Sequence, residues 1–227
     1  MISILLAVYN GEKYIRKSID SILNQSYKDF ELLIGFNGTI DNSKKIVSEY
    51  NDSRIRVFDY NDDKGKAKTL NKLIREANYE WIAIQDDDDI WIENKLEEQL
   101  KYINEFDVIG TQIKYCDEDD NLRDGPNLML NDQNIKYLTL RFNNQIANTS
   151  TLIRKDAIIK VGNWEEEFEG IEDYDLWIRL IINNYQFINL NNTLVYHRVH
   201  INSNFNTMDN TNKNNLINKM LQKNKVI

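Results

Sequence analysis

The stretch "EWIAIQDDDDIW", residues 80–91, sets an apolar run of strand length directly against four consecutive carboxylates, Asp86 to Asp89. Residues 80–84 read as a buried strand. Upstream the same unit recurs. Ile2–Val8 is a strand, and Ile15, Ile19, Ile22 and Leu23 then repeat at helical spacing, predicting a helix over Glu12–Gln25. "FELLIGF" (30–36) and "RIRVFDY" (54–60) read as strands, and 41–50 and 66–77 as helices. Strands alternating with helices imply right-handed βαβ units, hence an α/β fold with a mainly parallel central sheet flanked by helices. The acidic run therefore lies at the C-terminal end of about the fourth strand, the edge where open α/β sheets bind ligands.

Downstream the pattern predicts a helix over 93–104, a strand over 106–115 and a hairpin or loop at "CDEDDNLRDGP". Between 117 and 147 periodicity fades, and a mobile or substrate-facing region is expected. A strand (148–153), a short helix (155–161), a stronger helix (173–184) and a strand (193–199) follow. The tail is rich in Asn and Lys, with Leu216, Ile217, Met220 and Leu221 on one face of a closing helix.

At 227 residues and 41% hydrophobic content the chain supports one sizeable core. The net charge of −8 argues against a nucleic-acid or anionic-membrane binder, both of which call for a basic patch. Cys116 is the single cysteine, so no intrachain disulfide or CxxC zinc site exists, and a cytoplasmic setting is expected. No run reaches the ~18 apolar residues of a spanning helix, so membrane contact would be peripheral.

If 86–89 were extended, Asp86 and Asp88 would share one face and Asp87 and Asp89 the other, same-face neighbours lying about 7 Å apart. Each such pair repels by roughly 2 kcal/mol at an effective dielectric near 20. A solvated acidic turn is the bland explanation. At a ligand edge, the alternative is a hard cation held by oxygen ligands. EF-hand spacing fails, because Trp91 and Leu122 stand where its glycine belongs. Glycine-rich phosphate loops are absent, and an aspartyl-nucleophile phosphatase is not excluded by spacing. Two further constellations stand out. "GIEDYDLWIRL" (170–180) places Glu172, Asp173 and Asp175 at a helix start, where acids also serve the helix dipole. "YHRVHINS" (196–203) holds both histidines and Arg198, which offers a fork for phosphate.

Taken in order, "AVYNGEKYIRKSIDSILNQSYKDFELLI", "GFNGTIDNS", "DKGKAKTLN", "WIAIQDDDDIW", "GNWEEEFEGIEDYDLWIRL" and "YHRVHINS" resemble a family-2-type inverting glycosyltransferase of the GT-A fold over residues 1–203. The resemblance implies transfer of a sugar from a nucleotide-diphosphate sugar donor to a saccharide or other hydroxyl acceptor in glycan biosynthesis, with inversion and a divalent cation, manganese or magnesium. It implies a nucleotide-sugar and metal half over about 1–115, an acceptor and catalytic-base half over about 116–203, and a polar tail or helix over 204–227. It carries metal coordination onto Asp88 and His200, and the catalytic base onto Asp173. Donor contacts fall on Tyr9, Asn10, Glu12, Asn37, Lys68, Asp86, Asp87 and Arg198, with Lys66 in the same segment as Lys68. Asn10 is also a candidate helix cap. A helix N-terminus and a nearby cation are expected to depress the pKa of Asp173.

One departure bears on the donor. Where the family commonly has an Asp facing the nucleotide base, this chain has Asn37, preceded by Phe36. An amide accepts a hydrogen bond but also donates one, so the base is left open between uracil and others. Two other classes stay in view: a non-catalytic nucleotide-sugar-binding module, and a sugar nucleotidyltransferase, against which the missing Gly-rich N-terminal loop speaks.

Overall fold

The computed structural model describes residues 1–60, 64–200 and 209–226. In chain order its strands and helices are β1 (Ile2–Val8), α1 (Ile15–Leu23), β2 (Phe30–Phe36), α2 (Ser43–Ser48), β3 (Ile55–Asp59), α3 (Lys66–Glu76), β4 (Trp81–Asp86), β5 (Ile90–Trp91), α4 (Lys95–Leu100), β6 (Val108–Cys116), β7 (Leu122–Asp124), α5 (Asp132–Arg141), β8 (Leu152–Arg154), α6 (Lys155–Lys160), α7 (Glu172–Ile182), β9 (Phe187–Arg198) and α8 (Asn210–Lys223).

The sheet runs β3-β2-β1-β4-β8-β6-β9-β5, with β7 paired to β6. β3, β2, β1 and β4 are parallel, as the alternating pattern predicts. Beyond β4 the sheet is mixed: β8 runs antiparallel to both β4 and β6, whereas β6 and β9 are parallel. β1 is buried on both faces, which is why it reads as a continuous apolar run. Its Ile2, Ile4, Leu6 and Val8 pack with Ile15, Ile19 and Ile22 of α1, while Leu5 and Ala7 pack on the other face with Leu70 and Leu73 of α3. A smaller cluster of Phe168, Ile171, Tyr174 and Ile178 seats α8 through Met220, with Leu216, Ile217 and Leu221 alongside.

Three elements differ from the sequence reading. Residues 117–147 are not irregular throughout, since β7 forms a hairpin with β6 and α5 occupies ten residues. The Asn131 side chain accepts from the Asn134 amide and caps α5, and Ile135 and Thr139 bury its inner face, a weak i, i+4 signal among polar neighbours. β9 begins at Phe187 rather than 193, and its irregular register against β6 around Gln112 disguises the first half. β5, two residues long, lies below any sequence signal. Yet β5 pairs Ile90 with Tyr196 and so carries the end of β9 to the acidic run.

Candidate active site

Parallel register places the site. Ala7 lies opposite Asp86, and Val8 opposite Phe36, so the chain leaves β1, β2 and β4 at one edge. There Asp86 to Asp89 do not stay extended. They form a turn in which the Asp89 amide donates to the Asp86 carbonyl at 3.3 Å. The two-face expectation is replaced by four carboxylates with separate partners, which is how the turn carries its charge.

Asp86 Oδ1 lies 2.5 Å from Lys66 Nζ. Asp87 Oδ2 accepts the Tyr9 amide at 3.1 Å. Asp88 Oδ2 faces His200 Nε2 at 2.9 Å. Asp89 is fully buried, accepting the Arg198 amide at 2.7 Å and meeting His197 Nδ1 at 3.0 Å. Burial, with Asp88 and Asp86 adding repulsion, pushes the Asp87 carboxyl well up. Burial opposes the His197 imidazolium, but the Asp89 carboxylate outweighs it and holds the pKa up at about 9. Beneath the turn, Gln85 donates to Ser18 Oγ at 3.0 Å and to the Asp89 carbonyl at 2.8 Å, and Ser18 Oγ donates to the Asp86 carbonyl at 2.9 Å. The floor of the turn is therefore a satisfied buried network anchored in α1.

The second acidic pair starts α7. Glu172 is buried, and its Oε1 lies 3.9 Å from Lys66 Nζ. Burial pushes its carboxyl up to about 7. Asp173, half-buried, accepts from Asn144 Nδ2 at 3.1 Å. Its pKa is raised, not depressed as expected: burial outweighs the opposing Lys66 and the backbone amide of Tyr174. Burial works against the Lys66 ammonium, but Asp86 and Glu172 more than compensate, so it stays charged. Lys66 thereby joins the strand-end turn to the helix start. Lys68 lies two residues on, about 200° round α3, and the contacts to Asp86 and Glu172 are made by Lys66.

Arg198 is placed differently from a phosphate fork. The residue is 1% exposed, and its guanidinium donates to the Asp88 carbonyl at 2.9 Å and to Asp120 at 2.6 Å, bonds the Asp117 carbonyl, and lies over the Tyr14 ring. In this geometry it braces the turn against the β6–β7 hairpin. Lys13 and Lys17 of the α1 region pair with Glu118 and Asp120 of that hairpin. His200 is the last described residue of its motif, whose positions 201–203 lie outside the described residues, as do 204–208 of the tail.

On the opposite wall, Tyr9 is 48% exposed beside the turn. Asn10 adopts a positive φ of 53° and does not cap α1; its Oδ1 accepts the Ile40 amide at 3.0 Å. Glu12 accepts from the Asn42 amide at 2.9 Å, and its own amide donates to Asp41 at 2.8 Å. Asn37 is buried, its amide bonded to the Val8 carbonyl at 3.0 Å. Gly11 approaches the turn closely: a Cβ there would stand 2.6 Å from Asp87 Oδ2, so that carboxylate would have to shift. Trp91, Trp164 and Trp177 are buried in the core, and burial pushes the Cys116 thiol up to about 11. Three residues of the cluster escape sequence reasoning: Asp89 and His197 as a buried pair, and Asn144 beside Asp173. Each is visible only once β5 and α5 are in place.

Comparison with known proteins gives a consistent outcome. The description "Glycosyl transferase family 2" matches residues 3–163. The O-antigen biosynthesis glycosyltransferase WbnJ of Escherichia coli is 34% identical over 206 residues, covering 88% of this chain and 80% of the relative. WfaP of Escherichia coli, a UDP-Glc:alpha-D-GlcNAc-diphosphoundecaprenol beta-1,3-glucosyltransferase, is 29% identical, covering 89% of this chain and 79% of the relative. Among solved structures, S. aureus TarS 1-349 in complex with UDP-GlcNAc superposes with a TM-score of 0.77 at 19% identity, covering 92% of this chain and 61% of that longer one. The mannosyltransferase PcManGT of Pyrobaculum calidifontis, in complex with GDP-Man and Mn2+, gives 0.66 at 15% identity, covering 89% of this chain and 58% of that one. The TarS likeness bears on the fold, which is GT-A, and the match over residues 3–163 together with the identity to WbnJ shows that this chain belongs to glycosyl transferase family 2.

Proposed function

We propose that this glycosyltransferase is a divalent-cation-dependent, inverting enzyme that moves a sugar from a nucleotide-diphosphate donor to an acceptor hydroxyl in polysaccharide or other glycan biosynthesis in the cytoplasm. The observation that carries the reading is the Lys66 ammonium, 2.5 Å from Asp86 and 3.9 Å from Glu172, which gathers the strand-end carboxylates and the helix bearing Asp173 around one cleft. WbnJ and WfaP supply the glycan context, and the donors bound by TarS and PcManGT supply the donor class.

The donor set fits a cation. Asp88 Oδ2 and His200 Nε2, 2.9 Å apart, offer one carboxylate oxygen and one imidazole nitrogen. Among the described residues no group of three acidic, His or Cys side chains forms a cage. Two protein ligands suit manganese or magnesium taking its other ligands from water and a diphosphate. Bound there, the ion supplies positive charge to the diphosphate leaving group.

Asp173 accepts the proton of the attacking acceptor hydroxyl. Asn144 donates to one carboxylate oxygen and so helps to orient the group. The upward-shifted pKa makes Asp173 a stronger base than an exposed aspartate. Asp86 and Asp87 face the donor beside Tyr9, Asn10, Glu12 and Asn37, which wall the nucleotide base. Asn37 leaves that base open, and a thermal-shift panel of UDP, GDP and dTDP with manganese identifies it, because a ligand at a hundred times its dissociation constant adds about 2.7 kcal/mol. Asp173→Asn should cut transfer roughly a hundred- to ten-thousandfold while donor binding survives. Near-normal turnover in that variant would sink the assignment.

Among the described residues no helix is long and apolar enough to cross a membrane, so any membrane contact is proposed as peripheral.

A further inference from the structure

The C-terminal turn of α5 exposes a cluster that the donor and base assignments leave unused. Phe142 is 69% exposed and Tyr137 51% exposed, their rings 6.1 Å apart at 54°, an open V rather than a closed stack. The Arg141 guanidinium lies over the Tyr137 ring, 5.0 Å from its centroid. Single exposed aromatics are ordinary on a protein surface, but a contiguous pair with a cation against it is a recognition surface in composition.

Its position says for what. Phe142 precedes Asn144 by two residues, so their backbones lie within about 7 Å. Asn144 is locked at both ends of its amide: Nδ2 donates to Asp173 Oδ2 at 3.1 Å, and Oδ1 accepts the Ile146 amide at 2.9 Å. Tyr174, next to Asp173, donates its hydroxyl to the Thr139 carbonyl of α5 at 2.7 Å. Two bonds thus stitch the end of α5 and the residues after it to the start of α7. Donor-side groups, Lys66 and Asp86, approach Asp173 from α3 and β4, and the aromatic V comes from α5.

We infer that Tyr137, Arg141 and Phe142 form the subsite for the acceptor saccharide, the rings packing on the apolar C–H face of a pyranose and Arg141 bonding its hydroxyls. This rests on Asp173 being the base. Aromatic rings bring large contact area at little entropic cost, and a guanidinium gives direction, the combination a neutral saccharide needs.

The test uses Phe142→Trp as a reporter, since the native tryptophans Trp81, Trp91, Trp164 and Trp177 are at most 5% exposed. Its emission is followed on titration with methyl glycosides of glucose, galactose, mannose and N-acetylglucosamine, in the presence of manganese and UDP or GDP. At least one glycoside should change the emission saturably. Adding Tyr137→Ala should weaken that response about tenfold, and adding Tyr137→Phe should preserve it. No response to any glycoside, or a response to phosphatidylcholine vesicles in its place, overturns the inference. Manganese-stimulated hydrolysis of UDP-glucose, UDP-GlcNAc and GDP-mannose by the wild type reads the donor chemistry separately. If hydrolysis is absent from the wild type while a saccharide response is present, the surface binds sugar but is not an acceptor subsite, and the inference falls together with the base assignment; a missing saccharide response with hydrolysis intact overturns the inference alone.

Discussion

The turn at Asp86 to Asp89 and the start of α7 at Glu172 and Asp173 both crowd carboxylates together, and they manage the charge in opposite ways. In the turn each carboxylate has a partner of its own: an ammonium, a backbone amide, an imidazole, and for Asp89 both an imidazole and a backbone amide. At α7, burial dominates and pushes both carboxyls up, with Lys66 and an amide of Asn144 as partial compensation. Asp87 of the turn is also pushed up by burial, as the α7 pair is. The difference teaches that identical side chains become charge holders or proton acceptors according to whether donors or burial surround them.

Substitutions at Lys66 and Lys68 break the comparison most sharply. Lys66→Met leaves Asp86 and Glu172 without their shared cation, and transfer is expected to fall by about a hundredfold or more, with the Glu172 carboxyl rising above about 7. Lys68→Met is expected to change kcat/KM by less than about tenfold. Steady-state kinetics on both decides it, and the reverse order would move the donor contact to Lys68.

Next comes Asp89→Ala. It strips a buried acceptor from the Arg198 amide and His197, and should cost about 2–3 kcal/mol in urea unfolding, toward the low end of buried pairs because the His197 side chain is 37% exposed. A loss under about 0.5 kcal/mol would show that the turn does not depend on this brace.

The pH dependence of stability sharpens the contrast. The folded pKa of His197, about 9, exceeds its ordinary 6.5, so its contribution is complete below about 6.5 and is lost as pH rises through 9. Glu172, raised from 4.5 to about 7, also makes stability fall with rising pH, but between those two values. His197→Gln should flatten the alkaline limb and leave the acidic one, as read by unfolding midpoints across pH 5–10. The smallest stability effect is expected at Asp87→Ala, under about 1 kcal/mol, since losing the Tyr9 bond is offset by relief of repulsion from Asp88 and Asp86. Its transfer rate should also exceed that of Asp88→Ala, and equal losses would remove the distinction between the two.

Periodicity and motif order were enough to read β1 to β4, their helices and the family, because each of those elements buries a regular face against an adjacent neighbour in the chain. Asp86 and Asp88 were legible as candidates because they sit where β4 ends, whereas Asp173 and His200 came from the family resemblance of their motifs. Partner choice was not legible. Lys66 reaching Asp86 depends on how α3 seats on the sheet, Arg198 spent on bracing and Asp89 holding His197 depend on β5 meeting β9, and Asn144 on Asp173 depends on α5 packing against α7. Those contacts link residues far apart in the chain through elements too short or too polar to show a period. Only the folded sheet, curling to bring them within hydrogen-bond reach, decides which charge meets which.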